Sequence, residues 1–278
     1  MNPLCIEHKN YVQSLLKNMN THFFEYSFGA LFLFRQKYQI SIDTGRFPCI
    51  FGVTGDDKRF LMPLFSIDES SIHILLDKCN DIDFVFPLSE KIAYRFSRYF
   101  SRVYYNEGDS DYIYLRTTFE CYPTRALKRK RNLLKQAKRS FISSTSINEE
   151  SLPDVLRVLD LWQNKTLYNS SKTDYIPCVE AVNYFFNLGL VGRIYYIGDN
   201  PIGFFIGEHF NDTTFISHFA KGLTACKGIY VYMFNDMALK MKSYKFLNFA
   251  QDLGLTGLRK SKESFSPICV NKKYRGVL

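Results

Sequence analysis

The spacing of apolar residues along the chain follows two periods, and together they predict a protein of mixed helices and strands. Positions three and four apart are apolar where a helix would bury one face, and alternate positions are apolar where a strand would do so. The helical spacing predicts helices at 4–19, 70–78, 89–99, 124–141, 151–162, 177–189 and 229–241. Alternation and short apolar runs predict strands at 46–53, 60–65, 84–86, 111–115, 192–198, 202–210, 213–220 and 245–249. The apolar run 28–34 fits either element, and each half of the chain shows the order helix, strands, helix, strand.

The helix predicted at 124–141 joins the two halves. Its apolar face consists of Leu127, Leu134, Ala137 and Phe141. Another face is basic and consists of Lys128, Arg131, Lys135 and Lys138. We expect the helix to pack through its apolar face and to leave the basic face exposed for use. A connecting helix with a merely solvated charged face is the alternative.

The net charge of +9 is concentrated in two segments. Residues 121–140 include eight Lys or Arg and no acidic residue, and residues 259–275 include six basic residues and one acid. The remainder of the chain is mildly acidic. Such localised charge indicates an anionic partner, which is a phosphate-rich cofactor, RNA or an anionic lipid headgroup.

Composition excludes several classes of protein. With 46% apolar residues the chain has ample material for a core, so intrinsic disorder is excluded. Seven scattered cysteines without C-x-x-C spacing argue against a disulfide scaffold or a zinc site and fit a reducing compartment. No signal peptide and no run of about 18–20 apolar residues is found. We therefore expect a cytoplasmic protein without a transmembrane segment or metal, which could still touch an anionic membrane surface.

Polar residues that follow the last predicted strand indicate a site. Gln251 and Asp252 come directly after this strand, in the position where α/β sheets bind ligands. Thr256 is placed to cap a short helix that presents Arg259 and Lys262 on one side. A plain core strand would not need this succession of polar, acidic and basic residues.

The segment 213–241 has the order strand, polar glycine loop, helix, which is typical of a phosphate-binding arrangement. Gly222 and Gly228 permit tight bends, and a helix that begins at Ile229 would direct its amides and positive dipole end at an anion. The predicted cofactor-binding residues are Lys221, Gly222, Lys227, Gly228, Ile229 and Tyr230. An ordinary connection with two solvated lysines is the alternative.

A spaced motif reads Gln-Asp-Leu-Gly-x-x-Gly-Leu-Arg at 251–259 and continues with Lys262 and Pro267. Together with the Lys-Arg-Asn run 130–132 of the central helix, it resembles the soluble members of the phosphatidylglycerol lysyltransferase C-terminal domain family. The runs 26–35 and 111–114 are also similar to motifs of that family, so the resemblance covers most of the chain.

The resemblance implies an α+β fold with mixed sheets, built from two tandem Gcn5-related N-acyltransferase-like domains. We expect an N-terminal domain at 1–122, the basic connecting helix at 123–142 and a C-terminal domain at 143–278 that carries the site. The substrate-binding residues that the resemblance implies are Lys130, Arg131, Asn132, Gln251, Arg259 and Lys262.

The function that the resemblance implies is transfer of an acyl or aminoacyl group from a phosphate-bearing donor to an amine or hydroxyl. The candidate donors are acyl-coenzyme A and aminoacyl-tRNA. The Gcn5-related pyrophosphate loop reads Arg/Gln-x-x-Gly-x-Gly/Ala, whereas the matching stretch 223–228 keeps only the last glycine. This departure favours a charged tRNA as the donor.

Acyl transfer needs a group that takes a proton and a donor that stabilises the oxyanion. In this fold a glutamate at the end of the strand 202–210 often serves as the base, which makes Glu208 the first candidate. Its neighbour His209 must point to the opposite face of the strand. His218 and Asp252 complete the predicted catalytic set. The alternatives are a core histidine at 218 and a turn-forming aspartate at 252.

A non-catalytic protein that binds RNA or another anion and retains the acyltransferase fold is the alternative function. Binding through phosphates would then weaken steeply with salt, and no amine acceptor would be turned over.

Overall fold

The computed structural model of the protein describes residues 2–19 and 21–278. The strands are β1 (Asn2–Pro3), β2 (Ser41–Asp43), β3 (Cys49–Val53), β4 (Arg59–Pro63), β5 (Phe84–Leu88), β6 (Arg102–Tyr105), β7 (Asp111–Leu115), β8 (Ser143–Ser146), β9 (Val191–Ile197), β10 (Asn200–His209), β11 (Thr214–Gly222), β12 (Phe246–Asn248), β13 (Cys269–Asn271) and β14 (Tyr274–Val277). The α-helices are α1 (Lys9–Leu16), α2 (Phe28–Leu33), α3 (Ser71–Asp77), α4 (Glu90–Arg95), α5 (Arg116–Cys121), α6 (Lys128–Lys138), α7 (Leu152–Gln163), α8 (Tyr175–Asn183), α9 (Phe185–Leu188), α10 (Ile229–Lys240) and α11 (Thr256–Glu263). Short 3₁₀ turns lie at Ile6–His8, Phe24–Tyr26, Ser97–Tyr99, Glu107–Asp109, Glu149–Ser151 and Ser170–Lys172.

The chain forms two compact units that are not continuous in sequence. The first unit contains the residues up to Asp111, together with Gln251–Leu255 and Val270–Leu278. The second unit contains Tyr112–Ala250 and Thr256–Cys269. The sequence-based division of the chain at 122 and 143 stays a prediction about domains.

The sheet of the first unit has the strand order β1–β2–β3–β4–β5–β14–β6. β4 and β5 are parallel, because α3 carries the chain from one to the other, and the C-terminal strand β14 lies antiparallel between β5 and β6. Successive residues of β4 face opposite sides of this sheet. Leu61 packs into the buried cluster beneath α3 and α4, whereas Phe60 and Met62 face a cavity on the other side.

The run 28–34, which the pattern left open between helix and strand, forms the helix α2 at Phe28–Leu33. Ser27 caps it by accepting a hydrogen bond from the backbone nitrogen of Ala30 at 3.1 Å. All six helical residues are buried, so burial on every side has removed the amphipathic periodicity that would have identified a helix.

The sheet of the second unit has the strand order β13–β7–β12–β11–β10–β9–β8. β11 and β12 are parallel and α10 connects them, while β10 is antiparallel to both β9 and β11. Four phenylalanines tie α5, α10, the end of β12 and the end of α11 together. Ring centroids lie 4.9 Å apart for Phe234 and Phe249, 5.3 Å for Phe119 and Phe249, and 5.3 Å for Phe234 and Phe265.

The helix predicted at 124–141 is shorter than expected. α6 begins at Lys128 and ends at Lys138, and Leu127, Leu134 and Ala137 are buried as predicted. Phe141 was wrongly assigned to the apolar face, because it lies beyond the helix at φ 51° with 90% of its surface exposed. A positive φ is costly for a bulky residue and ends the helical periodicity here.

Before α7, Asn148 caps the 3₁₀ turn Glu149–Ser151, and its side chain accepts from the backbone nitrogen of Ser151 at 3.0 Å. One other local expectation is corrected. Gly222 lies inside β11, where it pairs with Gly203, so it does not form a bend before α10. An added Cβ at Gly222 would lie 2.9 Å from the side chain of Ile229, so the glycine allows close packing of strand and helix.

Candidate functional site

The first unit contains a cavity of about 430 Å³. Its wall is apolar where α2 faces the sheet, at Ala30, Leu31, Phe60 and Met62. Its polar wall is formed by Glu25, Asp56, Asn106, Asp109, Gln251 and Arg275. A concave, mostly apolar cavity with a few converging polar groups is the usual form of a small-molecule site.

A buried lysine holds two carboxylates beside this cavity. The Nζ atom of Lys273 lies 2.8 Å from Oε1 and 2.7 Å from Oε2 of Glu25, and 2.7 Å from Oδ1 of Asp111. The side chains of Lys273 and Asp111 are fully buried, and that of Glu25 is 15% exposed. We call these three residues the carboxylate–lysine triad. Glu25 is the member that lines the cavity.

Backbone elements far apart in sequence position the triad. Glu25 lies in the 3₁₀ turn before α2, Asp111 begins β7, and Lys273 immediately precedes β14. Asp111 also accepts a hydrogen bond through Oδ2 from the backbone nitrogen of Phe24 at 2.8 Å. The turn that presents Glu25 is therefore fixed by the same carboxylate that pairs with Lys273.

The ionisation of Glu25 is poised near neutrality. Burial and the neighbouring charge of Asp111 raise the pKa of Glu25 to about 7, although the ammonium of Lys273 opposes them. Burial lowers the pKa of Lys273, but Asp111 and Glu25 raise it by more, so the lysine stays charged. Two carboxylates share one ammonium, and a proton on Glu25 makes the triad neutral. Glu25 can therefore both accept and release a proton at physiological pH.

The raised pKa of Glu25 predicts that the stability of the protein depends on pH. We expect the stability of the wild-type protein, relative to the Glu25→Gln variant, to fall as the pH rises from about 4.5 to about 7. The folded state binds the proton of Glu25 more tightly than the unfolded chain does, so this contribution is complete below the unfolded pKa and is lost as the pH passes the folded pKa. Urea unfolding of both proteins at about pH 4 and about pH 8 measures it. A stability difference that does not change with pH would contradict the shift.

A second charged group lies on the same cavity wall. Arg275, whose side chain is 5% exposed, donates to Oδ2 of Asp109 from Nε at 2.8 Å and from Nη2 at 2.7 Å. Burial raises the pKa of Asp109, although the guanidinium of Arg275 opposes it. Arg275 and Lys273 are two residues apart and face one side of the chain, while Tyr274 between them packs on the other side, where its hydroxyl bonds Glu90 in α4.

The sequence-based prediction placed Lys273 and Arg275 in a basic segment available to an anionic partner. That interpretation was wrong for these two residues, because both are buried and each is paired with carboxylates. Basic residues are usually exposed, but they can be buried when carboxylates pair with them.

Two residues predicted from the sequence belong to the first unit. Gln251 lines the cavity, and its Oε1 atom accepts from Nζ of Lys273 at 3.4 Å. Asp252 is fully buried and accepts from the backbone nitrogen of Gly254 at 2.8 Å, so it forms the turn that follows β12. The turn is tight, since Leu253 has a φ of 55° and an added Cβ on Gly108 would lie 2.6 Å from the nitrogen of Gly254. Strained backbone of this kind is typical of functional sites.

Glu208 and His218, the predicted base and its neighbour, lie together in the second unit. Oε1 of Glu208 is 2.8 Å from Nε2 of His218 across β10 and β11, and the side chain of His218 is fully buried. Glu208 pairs with Ile216, and His218 is the extra residue of a bulge between the pairs Ile206–Phe219 and Gly207–Ser217. His209 points away and stacks on Tyr244 with ring centroids 5.6 Å apart. The cavity of the first unit does not include this pair, and their catalytic role stays a prediction.

Lys221 is held within the second unit. Its Nζ atom lies 2.6 Å and 2.8 Å from the carboxylate oxygens of Asp174 and 3.8 Å from the ring centroid of Trp162. The residue is buried, so its charge stabilises this ion pair. Phosphate binding by Lys221 stays a prediction.

The start of α10 is closely covered by α6. Gly228 has a φ of 88°, and an added Cβ would lie 2.7 Å from the carbonyl oxygen of Leu133. The backbone nitrogen of Ile229 donates to the oxygen of Cys226 at 3.2 Å. Lys227 is exposed in this loop, and Tyr230 packs near Phe234 with centroids 6.4 Å apart. A carbonyl oxygen beside the helix end disfavours an anion at this position.

The predicted substrate-binding residues of α6 and α11 lie in the second unit. Nζ of Lys130 donates to Oγ of Ser264 at 2.8 Å and lies 3.6 Å from the ring centroid of Phe265. Burial, with a smaller effect of Arg129, lowers the pKa of Lys130 to about 8. This contact brings the end of α11 against α6.

The remaining members of the predicted set differ in exposure. Arg131 donates to the carbonyl oxygens of Tyr122 and Thr124, and Asn132 is exposed. Lys262 donates to the carbonyl oxygen of Ala250 at 3.0 Å and so supports the end of β12, while Arg259 is half-buried on α11. Among residues 2–19 and 21–278, no group of three or more His, Cys, Asp or Glu side chains is arranged to hold a metal ion.

Glu25, Asp111 and Lys273 were not among the site residues predicted from the sequence. Lys273 and Arg275 are separated by one aromatic residue, and this two-residue spacing places them on one side of the extended segment that leads into β14. Charged residues at alternate positions beside a buried strand are the signal that could have identified them.

Comparisons with known proteins agree with this architecture. A protein family described as "Phosphatidylglycerol lysyltransferase, C-terminal" matches residues 17–276. A conserved protein of unknown function from Bacteroides thetaiotaomicron is 20% identical, with a TM-score of 0.89, and the match covers 100% of this chain and 98% of that one. L-PGS from Bacillus licheniformis is 14% identical, with a TM-score of 0.65 and coverage of 96% and 91%. FemX is 8% identical, with a TM-score of 0.61 and coverage of 99% and 96%. A comparison with curated proteins gives no match.

These structural likenesses concern the fold. The predicted fold class is confirmed: the protein has two mixed sheets with helices in a tandem acyltransferase-like arrangement. No helix in the described part of the chain has the length and apolar character to cross a bilayer.

Proposed function

The chain belongs to the phosphatidylglycerol lysyltransferase C-terminal family, and from that premise we propose that it transfers an aminoacyl group from an aminoacyl-tRNA to an amine or hydroxyl of an acceptor. The observation that supports the proposal most is the carboxylate–lysine triad beside the cavity of the first unit. Acyl transfer requires a group that takes the proton from the attacking amine or hydroxyl, and a carboxyl group with a pKa near 7 can take it.

In the proposed reaction the acceptor enters the cavity with its amine or hydroxyl next to Glu25. The nucleophile attacks the ester carbonyl of the aminoacyl group while Glu25 takes its proton. The tetrahedral intermediate then expels the 3′- or 2′-oxygen of the tRNA, which receives that proton from Glu25 and leaves as a hydroxyl. Lys273 holds the glutamate in place and keeps its deprotonated form accessible. Arg275, on the same wall, holds Asp109 in place through two hydrogen bonds.

The donor is proposed to be a tRNA and not coenzyme A. The start of α10, where a pyrophosphate would bind, is covered by α6 with the carbonyl oxygen of Leu133 against Gly228. The same helix α6 exposes Lys128, Lys135 and Lys138. Exposed cations along a helix suit the evenly spaced phosphates of RNA, and the exposed ring of Phe141 just beyond them suits an unstacked base.

The basic helix gives a direct prediction for RNA binding. We expect the Lys128→Gln/Lys135→Gln/Lys138→Gln variant to bind tRNA more weakly and with a flatter dependence of log K on log salt, by roughly 2 units of slope for three lost phosphate contacts. Fluorescence anisotropy with labelled tRNA over a range of salt concentrations measures both quantities.

A matched control removes the same charge elsewhere on the second unit. Lys240, Lys242 and Lys245 are exposed, and their triple glutamine variant has the same net charge as the α6 variant. It should retain the wild-type slope. Equal slopes for all three proteins would remove α6 from the proposal, and tight tRNA binding without transfer to any acceptor would support the non-catalytic alternative.

A further inference from the structure

An apolar loop tip on the second unit is not used by the proposed transfer. It lies between α7 and α8, where Leu167 is 101% exposed and Tyr168 is 63% exposed. Two adjacent large apolar side chains with this exposure have no role in the core. We call residues 164–173 the apolar loop.

The base of the apolar loop is fixed by hydrogen bonds, so its tip is held outward. Gln163 donates through Nε2 to the carbonyl oxygen of Tyr168 at 2.7 Å, and Thr166 donates through Oγ1 to the same oxygen at 3.0 Å. Thr173 donates to Oε1 of Gln163 at 2.8 Å, which closes the loop. The carbonyl oxygen of Tyr168 thus accepts from Thr166 within the loop and from Gln163 at the end of α7, and a satisfied backbone group is what entry into an apolar medium requires.

The charge around the tip is basic. Lys165 and Lys172 are exposed on either side of it, and no acidic residue occurs from 161 to 173. The nearest acids on each side are engaged: Asp160 accepts from the hydroxyl of Tyr175 at 2.6 Å, and Asp174 pairs with Lys221 at 2.6 Å. The surface that the loop presents is therefore apolar at its tip and positive at its flanks.

We propose that the apolar loop docks on the surface of a bilayer that contains anionic lipids, with Leu167 and Tyr168 in the interfacial layer and the two lysines at the headgroups. Leucine and tyrosine bury apolar surface there, and lysines reach lipid phosphates with their long side chains. Two other partners fit the loop less well. RNA offers no apolar surface on which Leu167 could be buried, and a protein partner is disfavoured because lysines are depleted in protein–protein interfaces. The proposal concerns residues other than those of the proposed transfer and does not depend on it.

Vesicle co-sedimentation tests the surface. Wild-type protein should bind vesicles of phosphatidylglycerol and phosphatidylcholine more tightly than vesicles of phosphatidylcholine alone. Leu167→Glu should lower the partition coefficient by about tenfold or more, and Lys165→Gln/Lys172→Gln by about fivefold for each lysine. Leu239→Glu is the matched control, because Leu239 is 41% exposed and Lys240 follows it, and it should bind as the wild type does.

The single tryptophan of the chain permits a second measurement. In the variant Trp162→Phe/Tyr168→Trp the only indole lies at the loop tip, and position 162 keeps an aromatic ring beneath Lys221. Its emission should shift to the blue and become quenchable by brominated lipids when anionic vesicles are added. The proposal would be overturned by any of three results. The tryptophan emission could stay unchanged, the protein could bind vesicles with and without phosphatidylglycerol equally, or Leu167→Glu and Leu239→Glu could lower the partition coefficient equally. Loss of tRNA affinity in Leu167→Glu with unchanged vesicle binding would assign the loop to RNA and would likewise overturn it.

Discussion

Replacing Lys273 with methionine should lower the free energy of unfolding by about 3–5 kcal/mol, because the change leaves two carboxylates buried without their counter-ion. Lys273 and Asp111 are both fully buried, and the lysine lies within 2.7–2.8 Å of Glu25 and Asp111. Methionine has nearly the same length and volume as lysine, so the loss reports charge and hydrogen bonding and not a cavity. Urea unfolding near neutral pH measures it.

The Asp111→Asn/Lys273→Met double variant is the control for this prediction. It removes one charge of each sign, and the side-chain oxygen of the introduced asparagine can still accept from the backbone nitrogen of Phe24. We expect the double variant to be more stable than the single Lys273→Met variant. A single variant with wild-type stability, or a double variant that loses the sum of both single changes, would show that the buried ion pair does not stabilise the first unit.

Replacing Glu25 with glutamine should lower the rate of aminoacyl transfer by about 10²–10⁴-fold, the usual contribution of a positioned general base. Glutamine keeps the shape of the side chain and removes the group that accepts a proton. The fold should be retained, because the variant removes the excess negative charge that two carboxylates share with one lysine. Single-turnover rates at saturating charged tRNA measure the chemical step.

Glu208→Gln is the competing variant, because Glu208 is the base predicted from the sequence. In the wild type the rate should rise with pH through the pKa of Glu25, about 7, since only the deprotonated carboxylate accepts a proton. That inflection should persist in Glu208→Gln and vanish in Glu25→Gln. An active Glu25→Gln protein together with an inactive Glu208→Gln protein would assign the chemistry to the paired Glu208 and His218 of the second unit.

Local sequence patterns identified the helices and strands whose own residues show a clear periodicity. β7 was predicted at its observed bounds and α10 within one residue of its end, while Thr256, predicted to cap α11, is its first helical residue. Each of these elements shows its own periodicity or begins at a recognisable residue. The fold class followed from the resemblance that these elements and the motif at 251–259 supported.

The carboxylate–lysine triad could not be predicted in the same way. Lys273 and Glu25 are 248 residues apart in sequence, and neither lies in a periodic segment. The pairing depends on β14, which inserts between β5 and β6 and brings the C-terminal residues back to the first unit. A four-residue strand at the end of a basic run gives no hydrophobic signal, so its lysine and arginine were interpreted as surface charge.

The partners of the predicted basic residues in the second unit were also not predictable from the sequence. Lys221 and Lys262 were selected for their charge beside a strand end, but one pairs with Asp174 and the other donates to backbone carbonyl oxygens. Sequence alone gives the presence of a charge and not its partner. On α6 the lysines at 128, 135 and 138 are exposed as predicted, whereas Arg131 of the same predicted face is half-buried and donates to backbone carbonyl oxygens.

The most direct test of the account is a transfer assay with radiolabelled aminoacyl-tRNA. Bulk tRNA charged with a labelled amino-acid mixture is incubated with the protein and with two acceptor sources, phosphatidylglycerol vesicles and a cell extract freed of RNA and protein. The account predicts that the wild type moves label from tRNA to an acceptor and that Glu25→Gln does not. Label that stays on the tRNA with the wild type, or transfer by Glu25→Gln at the wild-type rate, would contradict it.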